Sequence, residues 1–426
     1  MHHTILMIAP TSFFADYGAH IRIWQEAKVL HDRGHRLVIA TYHNGEDMPD
    51  LDIRRSWDVP WLKRAMVGSS RHKLYLDVAL SYRALKVALQ IRPSIIHAHL
   101  HEGALIGAPI KRLLKVPLIF DFQGSMTSEM IDHRFLSGKD SPLYQPLWQL
   151  ERFINTQADA VITSSDNAAN LLLRDFGFPT ERLYTMIDGI NTSRFRPFDG
   201  SPEWEAERQR LRHELGIPEG HRIVVYLGLL AQYQGINVLF EAAQQLIAES
   251  PDVHFLVMGY PGVDSYRELA EALGIADHVT LPGRILYKDS HAYLALGDVA
   301  VAPKMSATEG SGKIPQYMAM GLPVVTFDTS VSREYLGDIG IYAELGSASD
   351  LVAKLHMALD NREWAAERGR IGRSYAERYL SWDHIGPQLE EIYSTALQKQ
   401  KPARQHSSDT TTAAHDETEE AVERGV

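Results

Sequence analysis

The sequence of 426 residues contains no cysteine. Disulfides, thiolate metal sites and cysteine nucleophiles are therefore excluded. Positive charge is also scarce, because 43 Lys and Arg residues stand against 54 Asp and Glu, which gives a formal net charge of -11. A protein that holds nucleic acid by bulk electrostatics needs an excess of Lys and Arg to bind the phosphates. We therefore expect no nucleic-acid partner.

Long apolar runs are absent as well. No stretch of 18 or more apolar residues occurs, so the sequence predicts no membrane-spanning helix. The opening MHHTILMIAP lacks the basic start and the small-residue cleavage site of a signal peptide, and its short apolar run predicts a first strand. We expect a cytoplasmic protein, and any contact with a membrane would be peripheral, on the inner face.

The pattern of apolar residues predicts two domains, since a single core stops growing at roughly 250 residues. A strand, a glycine loop, an amphipathic helix and a second strand follow one another at 5–40 and again at 223–258. Each series is a βαβ unit, so we predict an α/β fold of two doubly wound, Rossmann-like domains. We place these domains at 1–200 and 201–380. Residues 399–426 lack an apolar pattern and are expected to be disordered.

Two glycine-containing loops of the second domain directly follow predicted strands, at 228–235 and 304–313. Ligands of open α/β sheets bind beyond the carboxyl ends of the strands, so these loops are candidate binding elements. The second loop ends in Gly-Ser-Gly-Lys at the predicted start of a helix, where free N–H groups and the charge of Lys313 can hold an anion. A solvated helix entry fits this pattern equally well. The buried strand GLPVV that follows places the loop at a sheet edge and favours phosphate binding.

Several segments together resemble the GT-B retaining glycosyltransferases of the group 1, or family-four, type. The similarity covers nearly the whole ordered chain. SWDHIGPQLEEIY resembles the final helix that crosses back to the first domain, which implies this role for residues 381–398. The other matching segments are RGHRLVIAT (33–41), RPSIIHAH (92–99), VPLIFDFQG (116–124), AVITSSDNAANLL (160–172), IDGINTSRFRP (187–197), LGDVAVAPK (296–304) and KIPQYMAMGLPVV (313–325).

The resemblance implies a cleft that binds a nucleoside-diphosphate sugar and transfers its sugar to an acceptor hydroxyl, without a metal or other cofactor. The Arg and Lys that usually hold the donor diphosphate are replaced here by Leu229 and Gln234. Lys313 is then the principal cation for the leaving diphosphate, and Glu309 is expected to orient the donor sugar. Both are catalytic candidates. The donor-binding candidates are Gly18, Gly228, Gln234, Gly259, Arg284, Gly310, Ser311, Gly312 and Gln316.

Acceptor-side candidates come from the first domain. Gln123 stands where many family members carry a histidine that faces the sugar. His97, His99 and His101 alternate on one face of a predicted strand, which suits either a metal cluster or one histidine in the cleft among packed neighbours. We retain His99 and His101 as acceptor-side candidates and predict no metal site. The acceptor itself is open: a glycan, a lipid-linked glycan or a small molecule.

Two alternatives stay open. The stretch 53–73 mixes tryptophans with Arg and Lys, which suits sugar stacking, an anionic acceptor, a membrane interface or an ordinary surface loop. A non-catalytic nucleotide-sugar-binding or scaffold protein of GT-B fold is the alternative function, because Leu229, Gln234 and Gln316 replace charged positions of the family. Turnover distinguishes the two functions, whereas binding alone does not.

Overall fold

The computed structural model describes residues 2–14, 18–58, 73–132, 135–305 and 310–400. Part of the mixed aromatic and basic stretch and all but two residues of the expected tail lie outside these ranges. In the described part of the chain, no helix is both long and apolar enough to cross a membrane.

The first half contains a seven-stranded parallel sheet in the order β3-β2-β1-β4-β5-β6-β7. Its strands are β1 (Thr4–Ala9), β2 (Arg36–Thr41), β3 (Asp52–Arg55), β4 (Ile95–His99), β5 (Leu118–Phe122), β6 (Ala160–Thr163) and β7 (Leu183–Thr185). Six helices accompany it: α1 (Gly18–Asp32), α2 (Lys73–Ile91), α3 (Leu100–Leu114), α4 (Met126–Asp132), α5 (Tyr144–Thr156) and α6 (Asp166–Phe176).

The second half contains a six-stranded parallel sheet in the order β10-β9-β8-β11-β12-β13. Its strands are β8 (Arg222–Leu229), β9 (Val253–Tyr260), β10 (Val279–Gly283), β11 (Val299–Ala302), β12 (Val324–Phe327) and β13 (Ile341–Ala343). Its helices are α7 (Pro202–Glu214), α8 (Ile236–Glu249), α9 (Val263–Ala272), α10 (Tyr287–Leu294), α11 (Lys313–Ala319), α12 (Ser330–Leu336), α13 (Ala348–Asp360), α14 (Arg362–Tyr375) and α15 (Trp382–Gln400).

The central strands are buried on both faces, as their uninterrupted apolar sequences require. In β1 the residues from Ile5 to Ala9 are all fully buried, and in β8 the same holds from Ile223 to Tyr226. Helices on both faces of a parallel sheet exclude water from its central strands, so the apolar residues there need not alternate with polar ones. The prediction of two doubly wound α/β sheets is confirmed.

Helix α15 packs back onto the first half of the chain. Its apolar residues join the cluster that surrounds β1 and β2, and Gly386 lies close against Val29 of α1. At the edge of this contact Glu390 accepts hydrogen bonds from Arg33 at 2.7 Å and pairs with His35 at 2.8 Å. The helix runs to Gln400, two residues beyond the expected end of its apolar pattern.

The chain order reverses beside β1 and beside β8. Strand β1 lies between β2 and β4, and β8 lies between β9 and β11. At such switch points the connections leave the sheet in opposite directions and open a crevice at the carboxyl ends of the strands. Gly235 allows the loop after β8 to lie against Pro303, which follows β11. Its φ is +75°, and a Cβ at this position would lie 1.8 Å from the carbonyl oxygen of Pro303.

We expect Gly235→Ala to destabilise the second half and to disturb the loops after β8 and β11. The left-handed backbone costs an alanine about 1 to 2 kcal/mol, and the clash with Pro303 adds to that cost. Gly216→Ala is the matched control, because Gly216 has a φ of +66° and open space around it. Thermal unfolding of both variants measures the difference. Equal losses of stability would show that the close contact with Pro303 is unimportant.

Candidate functional site

A cavity lies between the two sheets, at the carboxyl ends of their central strands. On the first-half side its wall includes Thr11, which follows β1, and His101, which follows β4. On the other side it includes Gly228 at the end of β8 and Lys304, which follows β11. Both crevices therefore open into one cavity, and the residues that directly follow the strands form its wall.

Most of the residues predicted from the sequence line this cavity. Glu309 lies outside the described residues, so its role remains a prediction. His99 is fully buried and does not line the cavity. The predicted residues that do line it are Gly18, His101, Gln123, Gly228, Gln234, Gly259, Arg284, Gly310, Ser311, Gly312, Lys313 and Gln316.

Lys313 begins α11 and extends across the floor of the second crevice. Its Nζ donates hydrogen bonds to Oε1 of Gln234 at 2.8 Å and to the hydroxyl of Tyr226 at 3.2 Å, and it lies 4.3 Å from the centre of the Tyr226 ring. Gly228 makes room for it, since a Cβ there would lie 2.8 Å from Nζ. The lysine is thus held in place by two uncharged groups.

An uncharged acceptor at position 234 suits the contact with Lys313. An amide oxygen accepts a hydrogen bond from the ammonium of Lys313, which a second ammonium cannot do because it has no acceptor. The loss of solvent around Lys313, together with the nearby charge of Lys304, lowers the pKa of Lys313 well below the ordinary range of lysine. An anion that enters the cavity would stabilise the charged form.

Lys304 is a cavity residue that the sequence analysis did not single out. Its side chain is buried, and Nζ donates to the carbonyl oxygen of Gly310 at 2.9 Å. Its place in the sequence could have indicated this role, because Lys304 begins the loop that follows β11. Arg284 also lines the cavity, with its guanidinium 5.5 Å from the centre of the Tyr260 ring.

Charge is distributed unevenly over the described cavity wall. From the second half the charged residues are Arg284, Lys304 and Lys313, and no described carboxylate of that half joins them. On the first-half side the wall contains Lys73, which pairs with Glu102 at 2.5 Å. The loss of solvent alone would raise the pKa of Glu102, but the ion pair with Lys73 lowers it. In all, the described first-half wall contains two cations, Arg22 and Lys73, and three carboxylates, Glu102, Glu129 and Asp188. The second-half wall therefore favours anions, and the first-half wall does not.

An ion-pair network centred on Arg22 begins at the first-half wall, where Arg22 and Asp188 line the cavity, and continues into the interior. The guanidinium contacts Asp121 at 2.9 Å, Glu26 at 3.1 Å and Asp188 at 2.7 Å. Asp121 also pairs with Nδ1 of His99 at 3.0 Å and accepts a hydrogen bond from Gln123 at 2.8 Å. His99 thus supports the carboxylate that orients Gln123, one layer below the cavity wall.

The same network contains a group of potential metal ligands. Atoms of Glu26, His97, His99 and Asp121 lie within 4.8 Å of one another. Arg22 already supplies a positive charge to both carboxylates of this group, so a metal ion would have to displace its guanidinium. Burial lowers the pKa of His97 well below its ordinary value and, together with the charge of Asp121, raises that of Glu26. These residues fit an ion-pair network better than a metal centre.

The chain matches two family models that together span both halves. The model for Glycosyl transferases group 1 matches residues 207–375, and that for Glycosyltransferase Family 4 matches residues 17–194. The chain is also 30% identical, over 274 residues, to the putative glycosyltransferase EpsD of Bacillus subtilis. This alignment covers 62% of the chain and 68% of EpsD. The chain belongs to the group 1 glycosyltransferases.

Further similarities agree with this assignment. This glycosyltransferase is 24% identical over 403 residues to the sulfoquinovosyl transferase SQD2 of Arabidopsis thaliana. The alignment covers 92% of the chain and 73% of SQD2. The fold of this chain is similar to that of Anabaena Alr3699/HepE in complex with UDP-glucose, with a TM-score of 0.73 and 18% sequence identity. The superposition covers 92% of this chain and the whole of the HepE chain. The predicted GT-B architecture is confirmed.

Proposed function

We propose that this glycosyltransferase transfers a sugar from a nucleoside-diphosphate sugar to an acceptor hydroxyl, with retention of the anomeric configuration. The observation that carries the proposal is the cationic second-half wall of the cavity, where Lys313 is held by neutral groups. A donor diphosphate placed against this wall meets positive charge in a site with little solvent. The solved complex of Anabaena HepE with UDP-glucose supports a donor of this class.

In the proposed reaction the bond from the anomeric carbon to the diphosphate oxygen breaks, and a bond from this carbon to the acceptor oxygen forms. The acceptor proton moves to the departing diphosphate oxygen on the same face of the sugar, which accounts for retention. Negative charge grows on the diphosphate as the bond breaks. Lys313 can stabilise this charge, and because α11 has only seven residues, the lysine contributes more than the helix dipole.

The first-half wall suits a neutral acceptor. Gln123 and His101 line it, and both can exchange hydrogen bonds with hydroxyl groups. Gln316 lines the donor side, where its Oε1 is buried and has no hydrogen-bond partner within the described residues. We propose that this oxygen accepts a hydrogen bond from the ribose. A hydroxyl of a glycan, a lipid-linked glycan or a small molecule would serve as acceptor.

A panel of nucleoside-diphosphate sugars tests the donor. A ligand that binds only the folded state raises the thermal unfolding temperature by mass action. The stabilising donor is then incubated with candidate acceptors, and NMR of the product gives its anomeric configuration. Transfer with inversion would refute retention. Donor binding without transfer or hydrolysis would favour the scaffold alternative, which rests on the neutral residues at 229, 234 and 316.

We expect the activity to survive chelation. The diphosphate charge is met by side chains of the protein, and Arg22 occupies the centre of the described cluster of potential metal ligands. The measurement is the initial rate before and after EDTA treatment, with dialysis to remove the chelator. A loss of activity that Mg²⁺ or Mn²⁺ restores would contradict this expectation.

Contact with a membrane surface stays a prediction. Residues 59–72 of the mixed aromatic and basic stretch lie outside the described residues. Trp57 is exposed, and its ring centre lies 4.5 Å from that of Tyr82 on α2.

A further inference from the structure

Two residues that line the cavity at and after the end of β8 carry no charge. Leu229 is apolar, and Gln234 is neutral and holds Lys313 through its amide oxygen. Both phosphates of a nucleoside-diphosphate sugar are negatively charged, so one lysine leaves part of this charge unmatched. Arg284 lines the same wall, with its guanidinium over the Tyr260 ring. A further cation is needed beside the glycines that precede Lys313.

Lys304 meets this requirement by its position in the fold. Its backbone N–H donates to Ala302 at 2.9 Å, which turns the chain at the end of β11. The turn places the side chain beside the glycines that precede α11, where Nζ lies 2.9 Å from the carbonyl oxygen of Gly310. Both lysines line the cavity, on either side of the Gly310 to Gly312 segment along the chain.

We propose that Lys304 is a second lysine of the donor site and binds the diphosphate together with Lys313. The inference rests on the proposed function and assigns to Lys304 part of the positive charge that meets the diphosphate. Two ammonium groups in one site with little solvent repel each other, and an anion between them removes this repulsion. Burial and the charge of Lys304 both lower the pKa of Lys313.

A structural role is the alternative, because the bond from Lys304 to Gly310 also closes the loop between them. Two substitutions separate charge from closure. Lys304→Gln removes the charge and keeps an N–H donor for the carbonyl of Gly310, whereas Lys304→Arg keeps both. Lys354→Gln is the matched control, since Lys354 lies on α13 and pairs with Asp350 at 3.6 Å, away from the cavity wall.

The experiment measures dissociation constants by calorimetry for UDP, ADP and GDP, for the matching monophosphates, and for inorganic pyrophosphate. We expect Lys304→Gln to raise two dissociation constants by roughly tenfold or more, as for the loss of one charge-assisted hydrogen bond. These are the constant for pyrophosphate and the constant for whichever nucleoside diphosphate the wild type binds. The ratio of the monophosphate to the diphosphate dissociation constant should become smaller. Lys304→Arg should restore most of the affinity, and Lys354→Gln should match wild type.

Three results would overturn the inference. If wild type binds a diphosphate and Lys304→Gln binds it equally well, Lys304 is not a donor cation, although the proposed function stands. If Lys304→Gln weakens monophosphate and diphosphate equally and lowers the unfolding temperature, the residue only closes the loop. If wild type binds none of the diphosphates or pyrophosphate, the proposed donor class fails together with the inference.

Discussion

Lys313→Met is expected to lower kcat on the order of a hundredfold while it weakens donor binding less. Methionine keeps much of the volume of the lysine side chain, so the cavity floor stays filled and only the ammonium is lost. The ammonium meets charge that grows as the bond to the diphosphate breaks, so it contributes more in the transition state than in the bound ground state. Steady-state kinetics and donor Kd measure the two effects separately.

Two comparisons make this result specific. Lys354→Met removes an ammonium outside the described cavity wall and should leave kcat and Kd near wild type. Gln234→Leu should reproduce part of the loss, because the Oε1 that holds Lys313 at 2.8 Å is removed while the charge remains. A Lys313→Met enzyme whose kcat equals that of Lys354→Met would exclude Lys313 from the reaction.

Strand and loop positions in the second half were close to predictable from the sequence. The apolar run at 223–227 lies within β8, and α11 starts at Lys313, where the Gly-Ser-Gly segment predicted a helix start. These features depend on local periodicity and turn residues, which a single sequence displays. The rule that ligands bind after strands then brought most donor candidates to the cavity, and it placed Lys304 in a candidate loop without distinguishing it from its neighbours.

The supporting contacts were not predictable in this way. The predicted alternation of His97, His99 and His101 on one strand is wrong for His101, because β4 ends at His99 and His101 lies in α3. His99 lies opposite Asp121 in the pairing of β4 with β5, so its ring binds that carboxylate. Arg22 lies 99 residues from Asp121 in the chain, and only the packing of α1 on the sheet brings them together. Long-range register and packing decide such contacts, and residue spacing carries little information about them.

Arg22→Met is expected to destabilise the first half by about 3 to 5 kcal/mol, which corresponds to a fall in unfolding temperature on the order of 10 °C. Arg22 is buried and pairs with three carboxylates, of which Asp121 and Glu26 are fully buried. Its removal leaves these groups without their cation, in a site that cannot solvate them. Thermal and urea unfolding midpoints measure the loss.

The control is Arg210→Met, which removes an exposed arginine paired with Glu207 and Glu214 on α7 and should cost less than about 1 kcal/mol.

The pH dependence of stability tests whether charge is the cause of the loss. In wild type Arg22 holds the pKa of Asp121 below its ordinary value. The pair therefore stabilises the fold when the pH is above the ordinary pKa of an aspartate, and this stabilisation is lost as the pH falls below it. In the variant the unpaired carboxylates take up protons readily, so its deficit should shrink at acidic pH. The double variant Arg22→Met with Asp121→Asn should regain part of the stability at neutral pH, because the strongest unpaired charge is removed. A deficit that is equal at pH 7 and pH 4, and that the second substitution increases, would mean that Arg22 stabilises the fold through packing instead of charge.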